Sequence, residues 1–184
     1  MRIDPANLNI TKRLSVTKCI STSKTIIAHP HVLEDGSWID MGMNPSVPGY
    51  EFVHYDGSAL KDPDLDNILE NGKVINCIPS SRSLALSYFH SFGLTENYII
   101  YLEQALSFNF LSHAANVVLN KPFSESLHMD PKWNTRIHLI NRKTGQIVEQ
   151  KYHTDPLFVF HHINAFEKQV VSIFILNYGP FNSN

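Results

Sequence analysis

Short segments rich in β-branched and aromatic residues alternate along this chain with turn dipeptides. Most of these segments are about four to eight residues long, and this length and composition are typical of strands. Glycine in the turn dipeptides tolerates the positive φ that tight turns require. The pattern predicts an all-β fold in which neighbouring strands form hairpins. The predicted turns are Asp35-Gly36, Asp56-Gly57, Asn71-Gly72 and Lys143-Thr144-Gly145.

One stretch, residues 104–120, departs from the strand pattern. Its apolar residues recur with the period of a helix, at Leu106, Phe110, Ala114 and Val117. The sequence therefore predicts a short apolar helical segment near 104–120, which is too short to cross a bilayer. Two interpretations stay open: the helix packs on the sheets, or its apolar surface lies in a membrane interface.

The composition is that of an ordinary globular protein. A length of 184 residues, with 43% hydrophobic and 17% charged residues, predicts a single domain over residues 1–184. A net charge of -2 without any run of Lys or Arg excludes the basic surface that nucleic acids require. The first residues lack the apolar core of a signal peptide, and no apolar run is long enough to span a bilayer. These features predict a protein that is cytoplasmic or peripheral at a membrane surface and has no nucleic-acid partner.

Ten histidines are the unusual part of the composition. His29 and His31 are two residues apart, so on a strand they would share a face and could bind one metal. Pro30 between them predicts an edge or strand-end position, and a purely structural pair is the alternative. His161 and His162 are adjacent, so a regular strand would direct only one of them to a shared site. Strand alternation does not say which one.

Other catalytic patterns are absent from the sequence. It contains no GxSxG elbow, no HExxH, no P-loop and no GxGxxG. Cys19 and Cys77 lack metal-ligand spacing and are predicted to be reduced thiols. An iron or zinc site built from scattered histidines is therefore the chemistry that the sequence favours.

Three longer motifs resemble one family. The segments TIIAHPHVLEDGS, SYFHSFGLTENYIIYLEQ and FVFHHINAFE are similar to segments of the animal carotenoid cleavage oxygenases and occur in the same order. That family includes the β-carotene oxygenases and the retinal pigment epithelium isomerohydrolase. The resemblance covers about residues 3–167 and predicts a partial carotenoid oxygenase domain, followed by a divergent tail at 168–184.

The resemblance implies a fold and a metal site. The family's fold is a seven-bladed β-propeller with Fe(2+) on its axis, held by four histidines. This chain would form about three blades, with His29, His90 and His161 as iron ligands, and the family's motif selects His161 over His162. The fourth family histidine would lie downstream of the last residue. Tyr88, two residues before His90, is implied as a wall of the substrate tunnel.

The resemblance also implies a dioxygenase function, in which O2 cleaves one double bond of a carotenoid to apocarotenal or retinal products. Phe108, Phe110 and Leu111 are implied to face a membrane surface, from which a carotenoid or retinoid would be taken. Two alternatives stay open. The first is a non-catalytic truncated propeller fragment that keeps the motifs as a scaffold, and the second is isomerohydrolase chemistry on a retinyl ester.

Overall fold

The structure is a computed structural model that describes residues 2–13, 25–44, 48–57, 72–82, 85–168 and 171–178. Strands dominate these residues. In chain order they are β1 (Arg2–Ile3), β2 (Ile10–Lys12), β3 (His31–Val32), β4 (Trp38–Asn44), β5 (Gly49–Tyr55), β6 (Lys73–Pro79), β7 (Ala85–Ser87), β8 (Gly93–Leu94), β9 (Tyr98–Glu103), β10 (Leu106–Asn109), β11 (Leu127–Met129), β12 (Thr135–Asn141), β13 (Tyr152–Thr154), β14 (Val159–Lys168) and β15 (Val171–Tyr178). A helix, α1 (Phe110–Val118), and a 3-10 helix (Phe123–Ser126) lie between β10 and β11.

Two four-stranded antiparallel sheets form the centre of the fold. The first has the strand order β3-β4-β5-β6, and the second has the order β13-β12-β9-β8. The inner strands β5 and β9 are buried along almost their whole length. Their β-branched and aromatic side chains therefore bury both faces, as inner strands between packed layers do. These sheets confirm the predicted all-β class.

Two of the predicted turns are confirmed. Gly36 and Gly145 have φ angles of 83° and 71°, a conformation that residues with a Cβ rarely adopt. The predicted tight turn at Asp56-Gly57 is wrong, because β5 ends just before it and its partner β6 begins only at Lys73. The predicted turn at Asn71 and the predicted thiol at Cys19 lie outside the described residues.

Strand β10 occupies part of the stretch that the sequence predicts to be helical. It pairs with β7 on one side and with β11 on the other. Helix α1 begins only at Phe110, because the side chain of Asn109 accepts hydrogen bonds from the N–H groups of Leu111 and Ser112 and caps the helix. The prediction of a helix is therefore wrong for residues 104–109.

Helix α1 leaves much of its apolar surface exposed. Leu111 is 69% exposed and Val118 is 84% exposed, whereas Phe110 is half-buried. Phe108 in β10 is buried, with 8% exposure, so its predicted outward-facing position is wrong. Pairing of β10 within its sheet directs this side chain into the core cluster. Within the described residues, no helix is long and apolar enough to cross a membrane.

The core connects three of the sheets. Phe52 of β5, Tyr101 of β9 and Leu86 of β7 are fully buried and belong to one apolar cluster. The strands β14 and β15 form a separate two-stranded sheet, and β14 lies against β8. Packing thus places the loop between β7 and β8 next to β14.

Candidate metal centre

Three histidines from distant parts of the chain meet at one point. The Nε2 atom of His29 lies 3.0 Å from Nε2 of His90 and 3.2 Å from Nε2 of His161. The ring centroids of the three imidazoles are 4.8 to 5.0 Å apart. Within the part of the chain that the structure describes, these three are the group of His, Cys, Asp or Glu side chains close enough to hold one ion.

Each of these histidines comes from a different element. His29 lies in the extended segment before β3, His90 lies in the loop between β7 and β8, and His161 lies on β14. The segment that carries His29 is attached to β4, where the Ile27 N–H donates to the Met41 carbonyl at 3.1 Å. His90 is half-buried and the other two are exposed. The fold therefore presents three nitrogens to one accessible point.

The arrangement fits a metal ion better than a set of hydrogen bonds. His29 Nε2 faces two other nitrogens, and because a neutral imidazole carries a single N–H, both contacts cannot be good hydrogen bonds. Nitrogen ligands ~2.1 Å from a common ion lie about 3 Å apart when their bonds are at right angles, which agrees with the two separations measured from His29 Nε2. The three nitrogens all lie within 4.8 Å of one another. The donor set is three imidazoles without a carboxylate in the described residues, and imidazole suits Fe, Zn, Cu and Ni.

The protonation of His90 also favours ligation. Burial, followed by the neighbouring His29 and His161, lowers the pKa of His90 and keeps the ring neutral. Its Nδ1 lies 3.4 Å from the hydroxyl of Tyr88. With the Nδ1–H donated to Tyr88, the Nε2 lone pair is directed at the other two rings, and neutral imidazole is the form that binds metals.

The neighbouring histidines of two motifs face away from the cluster. His31 donates its Nε2–H to the Phe92 carbonyl at 2.8 Å, and His162 Nδ1 lies 2.9 Å from Ser91 Oγ. Burial lowers the pKa of both histidines, that of His162 to about 4. The shared two-histidine site left open for AHPHV is therefore not formed. The adjacent histidines of FHHIN point in different directions, as strand alternation predicts.

An apolar cavity of about 410 Å³ lies beside the cluster. His90 and Tyr88 line it at one end, and their rings stack with centroids 6.4 Å apart. Phe110 and Phe123 line it near helix α1. The cavity therefore extends from His90 of the cluster to helix α1, and Tyr88 stands in its wall.

The sequence motifs do not identify all of the residues around this site. His113 lines the cavity from α1, although the sequence assigns it no role. Met43 and Phe123 also line it and lie outside the three motifs, so no sequence pattern singles them out. Gln104 closes the second motif, but its burial, at 2% exposure, is visible only in the structure.

The sequence is similar to several known proteins, and the names of these relatives describe one kind of chemistry. The sequence matches the family described as retinal pigment epithelial membrane protein over residues 1–183. It is 34% identical over 172 residues to the mitochondrial carotenoid-cleaving dioxygenase of Macaca fascicularis, covering 91% of this chain and 30% of that protein. It is 32% identical over 180 residues to the β,β-carotene 15,15'-dioxygenase of Rattus norvegicus, covering 94% of this chain and 31% of that protein. The chain thus spans about a third of the length of these relatives.

Solved structures agree on the fold. A variant of Synechocystis apocarotenoid oxygenase matches 94% of this chain with a TM-score of 0.66 and 22% identity, and the match covers 34% of that protein. The cobalt-substituted form of the Synechocystis enzyme matches with a TM-score of 0.66 and 20% identity, over the same shares of the two chains, 94% and 34%. The sheets of this chain are therefore part of the carotenoid oxygenase propeller, while the number of blades and the divergence of 168–184 stay predictions. By its family match and its identity to both dioxygenases, the chain belongs to the carotenoid oxygenase family, the family described as retinal pigment epithelial membrane protein.

Proposed function

We propose that this chain supplies the iron-binding part of a carotenoid dioxygenase-type protein, with His29, His90 and His161 as ligands of Fe(2+). The observation that supports this most is the convergence of three Nε2 atoms beside an apolar cavity. Two relatives are named as dioxygenases that act on carotenoids. The proposed reaction inserts both atoms of O2 at one carbon–carbon double bond and yields two carbonyl products.

The metal and the residues of this chain would have different roles in the reaction. Fe(2+) would supply the redox chemistry that O2 requires, and three neutral imidazoles leave the ion its full charge. A polyene has no charged group to bind, so the walls of the cavity, including Tyr88, would determine which double bond lies nearest the three nitrogens. The apolar walls would also exclude water from that position.

Iron analysis of anaerobically purified protein tests the proposed ligands. The wild type is expected to retain near-stoichiometric Fe(2+), and His29→Ala, His90→Ala and His161→Ala are each expected to lose it. His128→Ala is the matched control, because His128 is exposed on β11 and outside the cluster. A folded wild type that binds no iron overturns the proposal, and an equal loss in the control shows that binding is not specific to this site.

Product analysis then separates the candidate reactions. Iron-loaded protein is expected to consume O2 with β-carotene and to release apocarotenal or retinal. Conversion of a retinyl ester without O2 consumption would instead support the isomerohydrolase alternative. Iron binding with neither product would support the alternative of a non-catalytic fragment.

We also propose that helix α1 docks on a membrane surface from which the substrate enters. Leu111 and Val118 are 69% and 84% exposed, and Phe110 of the same helix lines the cavity that reaches His90. The last turn of α1 contains no basic residue, so docking would depend on apolar contact rather than on charge.

Co-sedimentation with phosphatidylcholine vesicles tests this docking. Leu111→Asp is expected to lower the bound fraction, because it places a charge at the apolar contact. Val32→Asp is the matched control, since Val32 is also 69% exposed but lies on β3. Unchanged sedimentation of Leu111→Asp, or an equal loss in the control, contradicts the proposal.

The cytoplasmic location and the absence of a nucleic-acid partner stay predictions from composition.

A further inference from the structure

Gln104, directly after β9, is a buried polar residue with 2% exposure. Its amide oxygen accepts a hydrogen bond from the Val159 N–H at 2.8 Å. Its amide nitrogen donates to the carbonyls of Tyr88 and Val159 at 2.7 and 3.3 Å. Tyr88 lies two residues before His90, and Val159 lies two residues before His161. One buried amide therefore joins the segments that carry two of the three clustered histidines.

Ser91 joins the same segments on the other side of these histidines. It directly follows His90, and its hydroxyl donates to the Phe160 carbonyl at 2.8 Å. The same hydroxyl oxygen accepts a hydrogen bond from the His162 N–H at 3.0 Å. Phe160 and His162 flank His161. A single hydroxyl thus fixes the backbone on both sides of His161 relative to the residue next to His90.

The hydrogen bonds of Gln104 and Ser91 link two sheets whose strands do not pair with each other. β14 belongs to the sheet that it forms with β15, whereas β8 and β9 belong to a four-stranded sheet. The sheets approach closely at Gly93, where a Cβ would lie 3.3 Å from His162 Cδ2 and 3.4 Å from Ala165 Cβ. Apolar packing of this kind is non-directional and does not define register. The directional hydrogen bonds of Gln104 and Ser91 define it.

We propose that Gln104 and Ser91 are positioning residues that hold His90 and His161 at the separation required for metal binding. The inference rests on the proposed metal site. The five hydrogen bonds described above all join these side chains to backbone groups, so the two side chains fix the course of the chain around the proposed ligands. Ser91 Oγ also lies 2.9 Å from His162 Nδ1. Ligands that are held in place before the ion arrives lose less conformational freedom on binding, and removal of either side chain should therefore weaken metal affinity.

A third polar contact joins the same two sheets away from the histidines. Glu167, at the far end of β14, accepts hydrogen bonds from Thr95 Oγ1 at 2.5 Å and from the backbone and side-chain N–H groups of Asn97 at 2.9 Å. Thr95→Val removes one of these bonds without changing a residue next to His90 or His161. It is therefore the matched control for Ser91→Ala.

Titration of the full chain with Co(II), followed by the absorption bands of the bound ion, tests the proposal. The wild type is expected to bind Co(II) at one site. Gln104→Met and Ser91→Ala are expected to raise the Kd for Co(II) roughly 10- to 100-fold and to shift the absorption bands. Thr95→Val is expected to change neither. Ser91→Thr keeps the hydroxyl and is expected to bind as the wild type does.

The outcomes distinguish this inference from the proposed function. A wild type that does not bind Co(II) refutes the metal site itself. Wild-type binding together with an unchanged Kd and unchanged bands in folded Gln104→Met and Ser91→Ala overturns the positioning role alone. Equal weakening in Thr95→Val also overturns it, since any loosening between the sheets would then suffice. If Gln104→Met does not fold, Ser91→Ala and Ser91→Thr decide the question.

Discussion

His138 and the three clustered histidines of the candidate metal centre have opposite surroundings in this protein. In the sheet of β9 and β12, His138 Nε2 lies 3.2 Å from an oxygen of Glu103, a carboxylate with 0% exposure. Glu103 also accepts hydrogen bonds from the N–H and the hydroxyl of Ser81 at 2.8 and 2.6 Å. At the metal centre, three imidazoles face one another, and none of the described carboxylates belongs to the cluster.

This contrast shows that the partner determines what a histidine does. A buried carboxylate needs donors, so His138 contributes to the stability of the fold. Nitrogens that face one another satisfy no buried group, so the metal centre contributes little to stability until an ion binds. Substitutions near Glu103 should therefore reduce stability and leave metal binding intact, whereas substitutions at the metal centre should do the reverse.

The largest effect on stability is expected for Glu103→Ala. The substitution leaves the Ser81 N–H and His138 without their buried acceptor. Loss of this buried acceptor should lower the free energy of unfolding by about 3 kcal/mol. Urea denaturation of metal-free protein measures this change. Weaker Co(II) binding by the folded fraction of the variant would link the two regions and contradict their separation.

Asp40 extends the comparison, because among the described residues it is a buried carboxylate without a histidine partner. It is 4% exposed and accepts hydrogen bonds from the N–H groups of Met41 and Ile27 at 2.7 and 3.4 Å. Burial raises the pKa of Asp40 from 3.8 to about 6. Burial also acts to raise the pKa of Glu103, but hydrogen bonds from His138 and Ser81 outweigh it and lower that pKa.

The pKa of Asp40 predicts a pH dependence of stability. Because this pKa is higher in the folded protein than in the unfolded chain, the protonated carboxyl favours the fold. The contribution is fully present below a pH of about 4 and should decrease by about 3 kcal/mol as the pH rises through about 6. Asp40→Asn is expected to abolish this decrease and to unfold at higher urea than the wild type at neutral pH. An unchanged decrease in the variant would assign the effect to another group.

A smaller effect is expected for His138→Ala. This substitution removes one of the donors to Glu103 and retains the two from Ser81, so the free energy of unfolding should fall by about 1 kcal/mol. Thermal and urea unfolding measure it. His153→Ala is the control, because His153 is exposed on the neighbouring strand β13. Equal losses in both variants would show that the contact with Glu103 contributes nothing specific.

The smallest effect on the metal-free protein is expected for His161→Ala. His161 is exposed, and its substitution should change the free energy of unfolding by less than about 0.5 kcal/mol. Addition of Co(II) should raise the melting temperature of the wild type, since a ligand that binds the folded state stabilises it. The variant should show no such rise. A large loss of stability without metal would give His161 the structural role assigned here to His138.

Local patterns were sufficient to predict the strands but not every boundary between elements. Turn dipeptides at Gly36 and Gly145 act within a few residues, so the sequence alone predicts them. The helical period of 104–109 is overridden by the pairing of β10 with β7 and β11, which also buries Phe108. Tertiary pairing of this kind is not encoded in a local pattern.

Local sequence patterns also do not predict the candidate site, because its residues are far apart along the chain. The choice of His29, His90 and His161 came from the resemblance of whole motifs, because single histidines carry no signal of where they meet. The role inferred for Gln104 depends on Val159, which lies 55 residues away in the chain. Its buried amide could not be recognised before the partner strand was placed.

The proposed ligands of the candidate metal centre are far apart along the chain, and this separation determines when the three histidines can meet. His29 is 61 residues from His90 and 132 residues from His161. Closing loops of this size costs entropy, and such non-local contacts slow folding. His161 is also the last of the three to leave the ribosome, so the three nitrogens can meet only after β14 has docked. Metal uptake would thus follow the docking of β14, and an ion held by all three histidines would act as a removable crosslink between segments that are far apart along the chain.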